Sequence, residues 1–502
     1  MTDPRFQLNR RRILQAGAAA AAAAFIPSLE ALAARRAAAS AQLLPAASPY
    51  GPLRPAPDLA TGLHLLQLPE GFSYRSFSWT GDMMNDGQTT PDRHDGMAVI
   101  AEQDGKLGTE LVLVRNHENG FGPLIQAPSQ YDTAEFGSSE RRRQLGGGTT
   151  NLRFRPESGE WVSAIASLGG TMINCAGGPT PWATWLSCEE TIEDLSDQGG
   201  RKHGYVFEVS TDPAATPAEP IVGMGRFRHE AVAVDPATGM AYLTEDHRNL
   251  SGLYRYIPDD ASPEPGALAR GGRLQAAKVK GVRNADLMVP RQGDEVELEW
   301  VDIDDPDAAP APFSGRHAGG DASGPFMQAW RAGALRLSRG EGIWYHAGKL
   351  YIVDTSAGAS ALGRVGYGEG AIWMLDLGTM RMRALFVSGN ALAGDNPDNI
   401  TVSPRGGVLA CEDGDAVTDE FGKGSRLLGL TARGESYIFA KNNARLTPAD
   451  LTTLGKTVEP GDYRDSEFCG ACFDSQGRVL FVNMQRPGIT LAIWGPWQRG
   501  NL

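Results

Sequence analysis

Five carboxylates and one thiol, Cys175, Glu190, Glu230, Asp246, Glu341 and Glu412, stand where short apolar runs begin or end. Carboxylate oxygens are hard ligands that suit calcium, which accepts several of them in irregular geometry. A thiolate suits a softer or transition metal. Together they predict mixed ions: a redox-type metal near Cys175 and calcium among the acids. Acids gathered in one channel also need cations, because like charges raise one another's pKa and desolvation adds to the cost. For any single acid the plainer account is a strand-end cap or an arginine partner. Arg339 precedes Glu341 by two residues and alternates onto the same side of an extended segment. Its planar fork matches an oxyanion such as phosphate, the alternative being a salt bridge to a channel acid. His117 and His229 adjoin Glu118 and Glu230 but face away from them on alternating strands, which suits support better than ligation.

Residues so far apart meet only if a repeated element delivers them. Six times a short apolar run opens on a polar residue, turns, and returns as a second run ending in acid or amide. The openings are Asp95, Cys175, Glu230, Glu341, Asn399 and Glu467; the second runs end at Glu118, Glu190, Glu245-Asp246, Asp354, Glu412-Asp413 and Asn483. This is the pattern of an all-β, six-bladed β-propeller with loop insertions and a metal cluster in its central channel. Asp235-Pro-Ala-Thr-Gly, Ser403-Pro-Arg-Gly-Gly and Asp474-Ser-Gln-Gly supply equivalent hairpin turns. A strand at Phe72–Ser78 could close the ring by joining the last blade, and the charged insertion from Asp259 to Trp330 is expected on one rim. An irregular β-sandwich is the competing fold.

The chain has 502 residues, with 62 Gly, 32 Pro and 41% hydrophobic residues, a loop-rich globular β composition. Its net charge of −13 argues against nucleic acid or an anionic membrane as partner. Arg10-Arg11-Arg12 precedes an Ala-rich stretch to Phe25 and then Ala31-Leu32-Ala33, the form of a twin-arginine signal peptide. The expected organisation is a signal at 1–34, a flexible lead-in at 35–60 and a propeller at 61–502. Five cysteines cannot all pair internally. Cys469 and Cys472 face opposite sides of a strand and, like Cys188 and Cys411, read as buried packing. Cys175, followed by Ala-Gly-Gly, has no bulk to cover it.

Asn116-His-Glu, Gly147-Gly-Thr-Thr-Asn-Leu, Cys175-Ala-Gly-Gly-Pro-Thr-Pro-Trp, Ser187-Cys-Glu-Glu-Thr, Gly225-Arg-Phe-Arg-His-Glu, Arg339-Gly-Glu-Gly and Cys411-Glu-Asp-Gly together resemble the PhoX-type alkaline phosphatase family, over about Gly62 to Trp497. The resemblance implies an exported, periplasmic or secreted phosphatase that hydrolyses phosphate monoesters at iron and calcium ions in the channel. It implies Cys175 as the iron-binding thiolate, and Glu190, Glu230 and Glu341 as metal ligands. Arg339 would contact the phosphate as the catalytic cation. Asp246 and Glu412 follow as ligands, with Glu245 and Asp413 as adjacent alternatives. The implied partner is a small phosphorylated substrate; the signal segment adds the twin-arginine machinery, no other segment could span a membrane, and a monomer is taken by default. A calcium-dependent propeller lactonase or phosphotriesterase, and a non-catalytic binding propeller with structural calcium, are the other readings.

Overall fold

Short β-branched and aromatic runs broken by Gly, Pro and Asp turns favour short strands over long helices, and the described residues fold almost wholly as antiparallel sheet.

 The structure is a computed structural model that describes residues 41–138 and 141–502, so the signal segment lies outside it. Among the described residues only Gly324–Ala332 and Pro448–Leu454 are α-helices.

The sheets form six units, each beginning at an inner strand: His94–Gly105, Asn174–Pro179, His229–Val234, Gly340–His346, Pro397–Val402 and Phe468–Phe473. Each inner strand packs on the next, and the sixth returns to the first, so the ring is closed and the fold is a β-propeller. Ser73–Phe77 pairs with Ile489–Trp494 as the outer strand of the sixth blade, which ties the two ends of the ring together. Apolar side chains fill the space between neighbouring blades, as where Tyr437 and Phe439 of the fifth meet Leu480 and Leu491 of the sixth. The three expected turns are present; Asp474, for example, accepts from Arg478 N and Val479 N.

One irregularity recurs in all six blades. Between His94 and Met97, Asn174 and Gly177, His229 and Val232, Gly340 and Ile343, Pro397 and Ile400, and Cys469 and Cys472, three steps on the inner strand match two on its partner. This is a β-bulge, which adds a residue and re-aims a side chain. The first bulged residues are Asp95, Cys175, Glu230, Glu341, Asp398 and Gly470. The fifth and sixth openings expected at Asn399 and Glu467 are therefore out of register with the other four.

Two expectations about the periphery change. The segment at 41–60 is not a loose lead-in: Tyr50 is buried, and Leu53–Ala56 pairs with Leu66–Pro69, which extends the fifth blade through Ser436–Asn442. The insertion from Asp259 to Trp330 does more than cover a rim. Its strands Gly272–Val279 and Glu295–Asp302 extend the third blade and join it to Arg381–Val387 of the fourth. It also carries the hairpin Ala311–Ala322.

Close approach of the inner strands demands small residues. A Cβ on Gly178 would lie 1.7 Å from the Val232 carbonyl oxygen, and one on Gly470, at φ 61°, would lie 2.5 Å from that of Asp95. Below the bulges the channel narrows to a void of about 20 Å³ lined by residues such as Gly96, Ala176, Gly342 and Gly470. Chemistry in the channel must therefore be reached from the bulge side.

Candidate metal centre

Five of the six bulges, those at Asp95, Cys175, Glu230, Glu341 and Asp398, deliver their side chains into one row, and the sixth blade adds Glu467 and Cys469 instead. Ligand atoms of Cys175, Glu190 and Glu230 lie within 4.8 Å of one another; so do those of Glu230, Glu341 and Asp398, of Asp398, Asp413 and Glu467, and of Asp95, Glu467 and Cys469. Glu230, Asp398 and Glu467 are each shared by two groups, so the four groups form a continuous line across the channel. Glu230, Glu341 and Asp95 are buried at its floor, whereas Asp413 is exposed at its mouth.

Both carboxylate oxygens of Glu230 are buried without a hydrogen-bond partner. Such a group is unfavourable unless a cation meets it. Burial, then repulsion from Asp398 and Asp246, pushes the Glu230 carboxyl well up. Glu190 and Glu341 are raised in the same way, each by burial and then by Asp246. Asp398 is pushed up to about 7 by burial and Asp413. The Cys175 thiol rises through burial and the nearby charges of Asp95, Glu230 and Glu190. A thiol flanked by carboxylates, with orphaned oxygens beside it, fits a donor set for both a softer and a harder cation.

Arg339 is placed at the edge of the row. Its Nε donates to both oxygens of Asp246 at 2.8 and 3.1 Å, and its Nη2 also reaches Asp246. Nη2 lies 2.9 Å from Glu341 Oε1, a contact without hydrogen-bond alignment. Burial opposes the charge on Arg339, but Glu341 and Asp246 outweigh it and keep the guanidinium charged. Asp246 thus lies beside the row, holding Arg339, and is in none of the four groups.

Glu412, expected in the channel, turns the other way. Arg426 forks onto it at 2.7 Å through both Nε and Nη2, and Asp395 N donates to it at 2.8 Å. Register explains this. Glu412 pairs with Pro397 at the position that Glu189, Glu245 and Asp354 occupy in blades two to four, and all four carboxylates hydrogen-bond backbone amides. The residue after that position reaches the channel: Glu190 in the second blade and Asp413 in the fifth.

Asp398 is the ligand-type residue that the sequence reading did not name; Asp413 was the adjacent alternative to Glu412, and Asp95 and Glu467 were placed at the channel without a role. Aligning the repeats on the apolar residue after each bulge (Met97, Val232, Ile343, Ile400) would have selected Asp398. Asn399 instead bridges, donating to Asp398 Oδ1 and accepting from Gly470 N, both at 2.7 Å. Cys469 is not plain packing, since its thiol joins the Asp95 group; Cys188, Cys411 and Cys472 lie in apolar clusters. His229 faces away from the row, stacked on Phe227 and bonded to Gly225 O at 2.9 Å. His117 contacts Asp92 O at 2.9 Å and Thr150 Oγ1 at 3.1 Å.

Fold and site together define a β-propeller enzyme with a row of metal-type ligands in its channel. Residues 48–167 and 163–488 match the family model described as alkaline phosphatase PhoX, and the chain belongs to that family. By class it is a phosphoric monoester hydrolase. Among solved structures it is similar to Pseudomonas fluorescens PhoX in complex with vanadate, a transition state analogue, at 16% identity and TM-score 0.60, covering 90% of this chain and 99% of that one. A gluconolactonase from Xanthomonas campestris is a weaker match, at 12% identity and TM-score 0.38, covering 91% and 98%. No curated protein matches the sequence.

Proposed function

We infer that this chain is an exported phosphatase that hydrolyses phosphate monoesters of small molecules, with iron and calcium held in the channel. The observation that carries the reading is the Glu230 carboxylate, shared by two ligand groups and unpartnered at both oxygens beside the Cys175 thiol. Cys175, Glu190 and Glu230 would hold the softer ion; Glu341, Asp398, Asp413, Glu467 and Asp95 would hold calcium. Bound there, the cations would supply positive charge to the phosphate oxygens and to the transition state.

The residues of the chain do the rest. Asp246 fixes Arg339 through Nε and Nη2, which leaves the outer edge of the guanidinium to donate to an equatorial phosphate oxygen. Because Arg339 is held before substrate arrives, little reorganisation accompanies charge development. The glycine-narrowed channel below the bulges allows entry and exit from one side only. Similarity in fold to a phosphatase binding vanadate, a phosphoryl transition-state analogue, supports the same direction.

Export rests on the Arg10-Arg11-Arg12 segment and its Ala-rich continuation, with residues 1–34 as signal and a periplasmic or secreted destination. Among the described residues no helix is long and apolar enough to cross a membrane. A monomer remains the default. The test is elemental analysis of the exported protein with Cys175→Ser alongside. Iron and calcium together, with iron and ester hydrolysis both lost in C175S, are expected; calcium alone, or iron and turnover kept in C175S, would overturn the reading.

A further inference from the structure

Beside the acid row, two buried nitrogens have nothing to bond to. Arg228 Nη1 and His247 Nδ1 are both buried without a hydrogen-bond partner. The backbone of Arg228 is fixed between two acids of the site: it bridges Glu190, and its carbonyl accepts from Asp246 N at 3.0 Å. His247 follows Asp246 directly, so the backbone bond from Asp246 N to Arg228 O brings the two residues side by side, and burial, then the Arg228 charge, pushes the His247 imidazole down to about 4.

Neighbouring cations are already matched. Arg226 is spent on His203 O and Ile192 O at 2.9 and 2.7 Å, and Arg339 on Asp246. Arg228 has no carboxylate within 4 Å among the described residues. Glu245, which feels the Arg228 charge, already accepts from Gly252 N, Tyr254 and Ser323. A buried guanidinium nitrogen left unmatched calls for an acceptor from outside. Arg228 and His247 are each partly exposed at other atoms of the residue, beside the two buried nitrogens.

We propose that Arg228 and His247 form a second oxyanion subsite, which takes an anionic group on the organic part of the substrate, a carboxylate or a second phosphoryl. The assignment rests on the phosphatase reading and names its substrate class: phosphate monoesters that carry a further negative charge. Arg228 supplies a charge-assisted donor and the imidazole a second one, while Arg339 holds the scissile phosphate across Asp246. Such a subsite also offsets the repulsion that an acidic channel would otherwise exert on a polyanion.

The test compares 3-phosphoglycerate with glycerol 3-phosphate on the metal-loaded protein and on Arg228→Gln. The wild type should prefer the carboxylate ester, and R228Q should lose about tenfold or more in kcat/KM on it, with less than twofold change on glycerol 3-phosphate. Equal losses on both esters, or none on either, would overturn the subsite. Calorimetry with 3-phosphonopropionate and propylphosphonate gives a readout without turnover. If neither ester is hydrolysed, the phosphatase reading falls. The subsite then stands if 3-phosphonopropionate binds about tenfold tighter than propylphosphonate and R228Q abolishes the difference, and it falls if the two bind alike. His247→Asn should weaken the same preference, and an unchanged unfolding midpoint in both variants separates this from misfolding.

Discussion

The adjacent acids Glu412 and Asp413 should respond to mutation in opposite ways. Glu412→Gln removes the charge facing Arg426, whose side chain is fully buried and forked onto Glu412. Breaking one side of such a pair strands a buried cation and costs about 3–5 kcal/mol. Asp419, 3.6 Å from Arg426, softens this toward the lower figure. Unfolding entropy of roughly 2.1 cal/mol/K per residue, over about 460 described residues, gives about 1 kcal/mol per degree, so E412Q should lower Tm by about 3–5 °C. Its metal content should be unchanged. Asp413→Asn, at the exposed mouth, should leave Tm of the chelated protein within about a degree while lowering bound calcium. Differential scanning calorimetry with and without chelator, beside elemental analysis of the same samples, reads both. Loss of calcium in E412Q with Tm preserved would refute the register argument, because it would put Glu412 in the channel.

Three further outcomes follow from the site. Metal-free protein should lose stability as pH rises. Asp398 binds its proton up to about pH 7 in the folded state but only to about 4 when unfolded, so folding is favoured at low pH and that advantage is lost on the way to 7. For Asp398 alone this is about 3 kcal/mol between pH 5 and pH 8, a Tm fall of about 3 °C in chelator; a metal-free Tm that rises over this range contradicts it. Arg339→Lys cannot reproduce the fork on Asp246 and should lower kcat/KM on phosphate esters by about 100-fold with iron and calcium retained, and unaltered turnover would exclude Arg339 from the reaction. Gly178→Ala drives a methyl into the Val232 carbonyl and should lower Tm by about 3 °C, at the upper end of ordinary overpacking; a neutral substitution would mean the inner strands are not that close.

Much of the fold was legible because a propeller is written as a repeat. Turns such as Asp474-Ser-Gln-Gly and the alternating strand at Ser73–Phe77 depend on nearby residues, and these were read correctly. Peripheral strands were less legible. Leu53–Ala56 lies in an Ala/Pro-rich stretch whose composition suggests looseness, and only pairing through Leu66–Pro69 to a strand near residue 440 holds it. The insertion strand Glu295–Asp302 likewise depends on Arg381–Val387, distant in sequence.

By itself the sequence determined which donor types are on offer: a thiol at Cys175, carboxylates at the ends of short apolar runs, and an arginine two residues before Glu341. Only the tertiary structure decided which members of each acid pair face the channel. Alternation along a strand has a period of two, and a bulge breaks that period at the residue where the side chain is re-aimed. The six bulges bring in Asp398 and exclude Asn399. Arg426, brought alongside by strand pairing, draws Glu412 into the blade and leaves Asp413 at the mouth.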